Sequence, residues 1–471
     1  MSQEKLRRRG VSRRSFLSMV ALSTGASVLA ACGAAVQPGG QSVATESESS
    51  NTAPTEAARP AQASGPAELR WEFRGDEVEF QRATANIEKF MEKNPNIKVK
   101  IERAPDEQRD EKLVTAMIGG TAPDIFEAWG DIVYKFADKD QILDLNPYVS
   151  DLSADDLKDF YKWQWDGFAE FNNIRFGMPK YVNIMGLWYN KDMFDAAKVP
   201  YPDKSWNHDD YANAMKQLTI DKDNDGLPEV WGGWIPAWSW DRFWYRLPMW
   251  GGDVRDANDP SKCTLDDPKS QEALEWTRKL MWDDKVLAQP LALGAKNWSD
   301  AVFYPQKAAM CEDGTYPQAV ARNVAGNFKW GYQHIPAGPA GIRKSLGTTD
   351  GFCVWKNTKH PDAAWELVKF LSGPVYQEDQ VKATGLLPVR FSVLEKWEQI
   401  NIDQAPELAD VNLHWAVEAL QEGYPSSRRV FKNQNAAAEI INPALEKVYS
   451  IGDTPVSYLA DIAAEVNKSQ Q

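Results

Sequence analysis

The first clear pattern along the chain is an alternation. Leu69, Trp71 and Phe73 take every second place in Leu69-Arg70-Trp71-Glu72-Phe73, which predicts a strand with one buried face. Phe80, Ala83, Ile87, Phe90 and Met91 then recur at the spacing of one helical face. Asn94-Pro95-Asn96 stops that helix, and Ile97, Val99 and Ile101 alternate again. A second helix ends at Gly119-Gly120, because glycine tolerates a left-handed cap, and Pro123-Asp124-Ile125-Phe126 starts another strand. Strands alternating with helices predict an α/β fold with a mostly parallel sheet. Its ligand crevice is expected at the strands' carboxyl ends, near Arg74 to Glu77 and Trp129 to Asp131.

Two stretches depart from this rhythm. Residues 33 to 66 are Ala, Ser, Thr, Gln, Glu, Pro and Gly with almost no large apolar residue, so they are expected to stay disordered. As a flexible coil they would span about 30 Å, enough to tether a domain near a membrane. The second stretch, 221 to 252, opens with alternating carboxylates and then holds Trp231, Trp234, Trp238, Trp240, Trp244 and Trp250, six of the chain's 20 tryptophans. Such a cluster fills a core or lines a cleft where flat apolar ligand faces stack. Its middle, Trp238 to Trp244, is expected in the cleft, and Trp231 and Trp250 in packing. Trp163, Trp165, Trp188, Trp206, Trp276, Trp282, Trp355 and Trp365 sit at helix or strand periods and are expected in the core.

Within the acidic head, Asp221, Asp223 and Asp225 with Gly226 match the first half of a calcium loop, with oxygen ligands at 1, 3 and 5 and the turn glycine at 6. Gly232 stands where the closing glutamate belongs, and Glu229 is the nearest acid. The alternatives are a structural calcium and an acidic solvent turn.

Length and charge narrow the class. A chain of 471 residues suggests two or three domains or lobes. Its net charge is −14, and the first fourteen residues carry six basic residues against the single acid Glu4, so the remainder is more acidic still. That argues against nucleic acid and anionic lipid headgroups as partners. The basic start, the uncharged run from Ser15 to Ala31 and the small residues before Cys32 make an export signal over 1–31. Ser12-Arg13-Arg14-Ser15-Phe16-Leu17 resembles the twin-arginine signal, and Leu29-Ala30-Ala31-Cys32 resembles the bacterial lipobox. Cleavage before Cys32 with lipidation of its sulfur would leave the protein anchored to the outer face of the cytoplasmic membrane.

Chemistry other than binding finds little purchase. Cys263, Cys311 and Cys353 permit at most one intramolecular disulfide and lack metal-ligand spacing. His208, His334, His360 and His414 are scattered, and no glycine-framed serine, zinc helix motif or phosphate loop is present.

The order of several short segments is distinctive. Gly120-Thr121-Ala122-Pro123-Asp124-Ile125, Gly177-Met178-Pro179, Leu187 to Phe194, Ser205-Trp206, Gly347 to Gly351, Lys359 to Trp365, Phe370-Leu371-Ser372 and Gly385-Leu386-Leu387-Pro388 together resemble the family 1 extracellular solute-binding proteins. These are the maltose-binding-protein-like receptors of ABC importers, and the resemblance covers about 67 to 465. It implies a two-lobed periplasmic-binding-protein-like (type II) fold with the ligand between the lobes. The first lobe would be 67–181 plus 340–388, and the second 186–334 plus 392–471, after the signal and the lipidated linker 32–66.

The resemblance also implies site residues. Trp129 and Asp131 fall where the family places a tryptophan and an aspartate on sugar, and Asn183 where a relative has an acidic ligand residue. Asp241 and Trp244 fall on aromatic sugar contacts, with Trp238 and Trp240 beside them. Asp313 and Tyr316 belong to the loop that floors the ligand. Asp76, Glu77, Arg74 and Tyr424 are further candidates, and Asp76 and Glu77 have the alternative of beginning a helix. Aromatic faces take the C–H patches of sugars while acids and amides take hydroxyl pairs. The expectation is a monomeric receptor that closes on a carbohydrate, an oligosaccharide, and delivers it to permease subunits without chemistry. A secreted carbohydrate-active enzyme is the rival reading. Within the receptor reading, a non-sugar solute such as glycerol phosphate is the alternative.

Overall fold

A computed structural model describes residue 59 and residues 65–471 apart from 105–108, 170–173, 238–239, 294–298, 349 and 428. The export signal, Cys32 and most of the linker lie outside the described residues, as do Trp238 and the side chains of Asp131, Trp240 and Asp241. Arg59, an exposed residue of the linker, meets three groups of the fold. Its Nε donates to the Pro147 carbonyl at 3.1 Å, its Nη2 pairs with Asp151 at 2.5 Å, and its guanidinium lies 4.6 Å from the centre of the Tyr148 ring.

The βαβ start forms as its pattern predicts. Strand β1 (Ala67–Phe73) buries Leu69, Trp71 and Phe73, helix α1 (Glu77–Lys93) buries Ala83, Ile87 and Phe90, and β2 (Ile97–Arg103) pairs parallel to β1. Helix α2 (Arg109–Ile118) ends at the two glycines, and Gly120 adopts φ +68°, the left-handed cap. Strand β3 (Ile125–Ala128) joins β1 in parallel and leads into α3 (Gly130–Asp138).

The rest of the sheet corrects the parallel expectation. Its order is β2-β1-β3-β9-β4, and β9 (Gly351–Val354) runs antiparallel to both β3 and β4 (Met178–Pro179). The second sheet, β6-β5-β7, is antiparallel throughout, with β5 (Gly186–Asn190) between β6 (Met310–Asp313) and β7 (Trp330–Gln333). Short-range βαβ units force parallel pairing, whereas a strand returning after a long excursion is free to enter from the other end.

Between the two sheets the chain passes side by side. Ile184 bridges Gly347 and Val182 bridges Leu387. The two-residue strand β8 (Ser345–Leu346) pairs with β10 (Pro425–Ser426), and Gly347 N–H donates to the Ser426 carbonyl at 2.9 Å. These narrow passages, held mainly by backbone bonds, make a hinge between two lobes.

Tryptophans are the largest side chains in the cores. Trp71, Trp188, Trp234, Trp365, Trp397 and Trp415 are fully buried, and Trp163, Trp165, Trp206, Trp276 and Trp282 are partly buried against the cores. Trp231 and Trp250 are packing residues, as expected. Trp244, expected in the cleft, is 3% exposed in the core of the second lobe with Phe243, Tyr245 and Leu247. A heteroaromatic of that size gains more from complete burial than from a half-wet wall. Cys263, Cys311 and Cys353 are separate buried thiols.

Candidate ligand-binding cleft

The first lobe's contribution sits at the strand ends. Trp129 directly follows β3 and precedes α3, half-buried. Two guanidinium groups lie against its ring, Arg74 at 4.4 Å and Arg109 at 4.8 Å from the centre. Arg109 is buried, bonded to Glu72 at 2.5 Å and to the Glu127 carbonyl. Burial pushes the Glu72 carboxyl up, against the opposing pull of Arg109. Lys180 closes the same wall, paired with the buried Glu127 and donating to the Arg74 carbonyl at 3.3 Å. Asp350, immediately before β9, is 8% exposed. Burial raises its carboxyl, while Tyr181 and the charges of Lys180 and Arg74 pull the other way.

The second lobe offers the end of β6. Asp313 is buried, accepts from Ser299 Oγ and from the Gly314 N–H at 2.7 Å, and stands 3.6 Å from Arg242. Desolvation raises this carboxyl too, offset first by Arg242. Asn183 links the hinge to this loop through two residues. Asn183 Oδ1 accepts from the Thr315 N–H at 2.8 Å, and its Nδ2 donates to the Tyr316 hydroxyl at 2.5 Å. The fit is close, since a Cβ on Gly314 would stand 2.3 Å from Asn183 Oδ1, so only glycine passes there. Below, Tyr332 donates its hydroxyl to the Gly314 carbonyl at 2.7 Å and accepts from the Tyr316 N–H at 3.0 Å. Burial carries the Tyr316 phenol up to about 12, so it is a neutral hydroxyl at any physiological pH.

The electrostatic neighbours of Tyr316 are Asp313, Arg242 and Asp350, and Tyr316 in turn bears on Tyr181. Trp129, Asn183, Asp313 and Tyr316 thus take places at strand ends and the adjoining hinge. Four other expected residues do not join them as free ligand groups. Asp76 is the N-cap of α1 in a reciprocal capping box with Glu79, its Oδ1 accepting from the Glu79 N–H at 2.9 Å. Glu77 pairs with Arg103 at 2.8 Å on the surface. Trp244 is core. Tyr424 belongs to a second-lobe cluster, its hydroxyl 2.7 Å from His334 Nδ1 and its ring near Arg343. Helix starts attract acids for the backbone's sake, which is why Asp76 and Glu77 look functional in sequence.

Lys180, Tyr181, Arg242, Ser299 and Asp350 were missed. Tyr181 lies just past β4, where the carboxyl-end rule points, whereas Asp350 precedes β9 and reaches the same edge only because β9 runs antiparallel to β3. Arg242 and Ser299 come from short helical turns with no sequence signal.

Away from the cleft, the carboxylates of Asp221, Asp223 and Asp225 lie within 4.8 Å of one another. Asn224 and Gly226 take left-handed backbone to make the turn, and Asp221 Oδ1 is buried without a hydrogen bond. Glu229 accepts from the Lys222 N–H at 2.9 Å instead of joining the three. Three converging oxygen ligands suit a hard divalent ion.

Two lobes, a backbone hinge and polar and aromatic groups gathered at the strand ends define a ligand-binding protein of the hinged, two-lobed class. The model of the bacterial extracellular solute-binding protein family matches residues 74–378, and the chain belongs to that family. It is 24% identical to the erythritol/L-threitol-binding protein of Mycolicibacterium smegmatis, covering 82% of each chain. It is 25% identical to the diacetylchitobiose binding protein DasA of Streptomyces coelicolor over 64% of this chain and 69% of that one. In three dimensions it resembles an ABC substrate-binding protein of Listeria monocytogenes solved with cycloalternan. The TM-score is 0.72 at 25% identity, over 86% of this chain and 99% of the other. Among the described residues no helix is long and apolar enough to cross a membrane.

Proposed function

We propose that this protein is the substrate-binding receptor of an ABC importer, held by a lipid on Cys32 after export and closing on a carbohydrate, an oligosaccharide, which it delivers to membrane permease subunits. The observation that carries this reading is the joining of Asn183 on the hinge to Tyr316 beside the second lobe's strand end, with Asp350, Asp313 and Trp129 at neighbouring strand ends. Carboxylates, an amide-set phenol and an indole are the groups that take hydroxyl pairs and C–H faces of a sugar. Relatives whose names specify diacetylchitobiose or a tetritol, and a structural neighbour holding a cyclic oligosaccharide, support the same ligand class. The Asp221 loop is proposed to hold a structural calcium at the entry to the tryptophan-rich segment.

The test is a thermal-shift screen of mono- and oligosaccharides on the protein lacking its signal, since a ligand that binds only the folded state must raise its melting temperature. A shift with a sugar and no turnover of that sugar is expected. No shift with any sugar overturns the ligand class, and released product overturns the receptor reading. Replacing Cys32 with serine is expected to release the exported protein from the membrane fraction.

A further inference from the structure

The hydrogen bonds around Tyr316 have a fixed direction. Backbone N–H groups only donate, so the atom of Asn183 that meets the Thr315 N–H at 2.8 Å must be the carbonyl Oδ1. The amide cannot be flipped without setting two donors against each other. Its Nδ2 therefore faces the Tyr316 hydroxyl at 2.5 Å, and Nδ2 also only donates. The phenol oxygen must accept, and its single proton must point elsewhere. Among the described residues, the bond from Asn183 is the one made by that hydroxyl.

The other polar atoms of the loop are already committed. The Thr315 hydroxyl donates to the Ile184 carbonyl at 2.8 Å, Tyr332 donates to Gly314, and the Tyr316 N–H goes to Tyr332. The phenol's raised pKa keeps its proton in place.

We infer that Asn183 is a positioning residue that polarises Tyr316, turning its hydroxyl into an obligate donor toward the ligand, so that the ligand atom at this point must carry a lone pair. A sugar hydroxyl, a ring or glycosidic oxygen, or an acyl oxygen qualifies. An ammonium group does not. Asp350, an acceptor when ionised, lies in the electrostatic neighbourhood of the same phenol. A hydroxyl that accepts from Tyr316 can donate to such a carboxylate, which an ether oxygen cannot. This rests on the receptor reading for the identity of the ligand, but the proton's direction does not.

An aspartate at 183 isolates the effect. Its carboxylate still accepts from Thr315, so the loop keeps its anchor, but it can no longer donate to the phenol, whose proton must turn back to it. The tyrosine Fermi-resonance doublet in Raman spectra distinguishes a phenol that accepts from one that donates to a carboxylate. It is isolated for Tyr316 by subtracting spectra of the Tyr316→Phe variant from those of the ligand-free wild type, and likewise for Asn183→Asp with and without Tyr316→Phe. The wild-type doublet is expected to be of accepting type and that of Asn183→Asp of donating type, at an unchanged circular dichroism spectrum. A donating doublet in the wild type, or one that Asn183→Asp leaves unchanged, overturns the inference. If Asn183→Asp does not fold, the wild-type difference spectrum decides alone. In calorimetry with maltotriose, Tyr316→Phe and Asn183→Asp are expected to weaken binding by similar factors, roughly tenfold, the cost of one lost hydrogen bond to ligand. Unequal losses, with Asn183→Asp unaffected, would overturn the inference. Failure of maltotriose to bind the wild type bears on the sugar reading alone, because the Raman result needs no ligand.

Discussion

The guanidinium of Arg74 lies 4.4 Å from the centre of the Trp129 ring, the indole proposed above to stack on sugar. Arg109, buried and bonded to Glu72, supports the same indole and cannot leave. Arg74 is exposed. Removing it with Arg74→Ala is expected to relieve a competing cation–π contact of about 0.5–1 kcal/mol and so tighten binding of a neutral sugar several-fold. Trp129→Ala is expected to weaken the same binding by about tenfold, the loss of one stacked ring. Titration calorimetry with a sugar found by the thermal screen checks both.

Trp244 gives the opposite expectation. At 3% exposure in the core of the second lobe, its truncation to alanine leaves a cavity, and about 3–5 kcal/mol of stability should be lost. Urea unfolding of Trp244→Ala measures this. Ligand affinity of the remaining folded fraction should change little.

His208 predicts an acid sensitivity. Its Nδ1 meets the Ala337 carbonyl at 2.8 Å and so carries the proton, while its Nε2 meets Arg246 at 3.1 Å and so accepts. Burial first, and then the Arg246 charge, lower its pKa from 6.5 to about 3. The folded state therefore favours the neutral ring. This stability is present above pH 6.5 and drains away as the pH falls from there toward 3. A melting-temperature profile from pH 7.5 to 4 should fall more steeply in the wild type than in His208→Gln, which has nothing to protonate.

The buried pair beside it predicts a larger loss. Arg246 and Glu312 are both wholly buried and ion-paired, with Tyr245 donating to Glu312 at 2.6 Å. Arg246→Met leaves the buried Glu312 without its counter-ion, a change worth about 3–5 kcal/mol of destabilisation. Chemical denaturation at neutral pH checks it, and the loss should shrink in Arg246→Met with Glu312→Gln.

Calcium added to protein stripped with EDTA is expected to raise the melting temperature, and Asp223→Asn is expected to remove most of that shift. Magnesium should do less, since it sheds its waters reluctantly for a flexible carboxylate loop. Equal melting curves with and without calcium would sink the proposal.

Much of this was legible in sequence because it is local. The alternation at Leu69, Trp71 and Phe73, the helix stop at Asn94-Pro95-Asn96 and the cap at Gly119-Gly120 depend on neighbours a few residues away. The resemblance points to Trp129, Asn183, Asp313 and Tyr316 as candidates, and the structure gives each a place at or just after a strand end or on the hinge. The errors share one cause, that residue type does not say what a side chain will meet. Asp76 met its own helix and Trp244 met a core.

By itself the sequence determined the α/β start, since periodicity and turn chemistry act over short range, while the class of protein was carried by the order of motifs that resemble the family. Only the tertiary structure decided the antiparallel return of β9, the covering of Trp129 by Arg74 and the direction of the Tyr316 proton. Each of these turns on which distant group is brought within hydrogen-bonding or van der Waals reach, and that is fixed when the lobes pack, not along the chain.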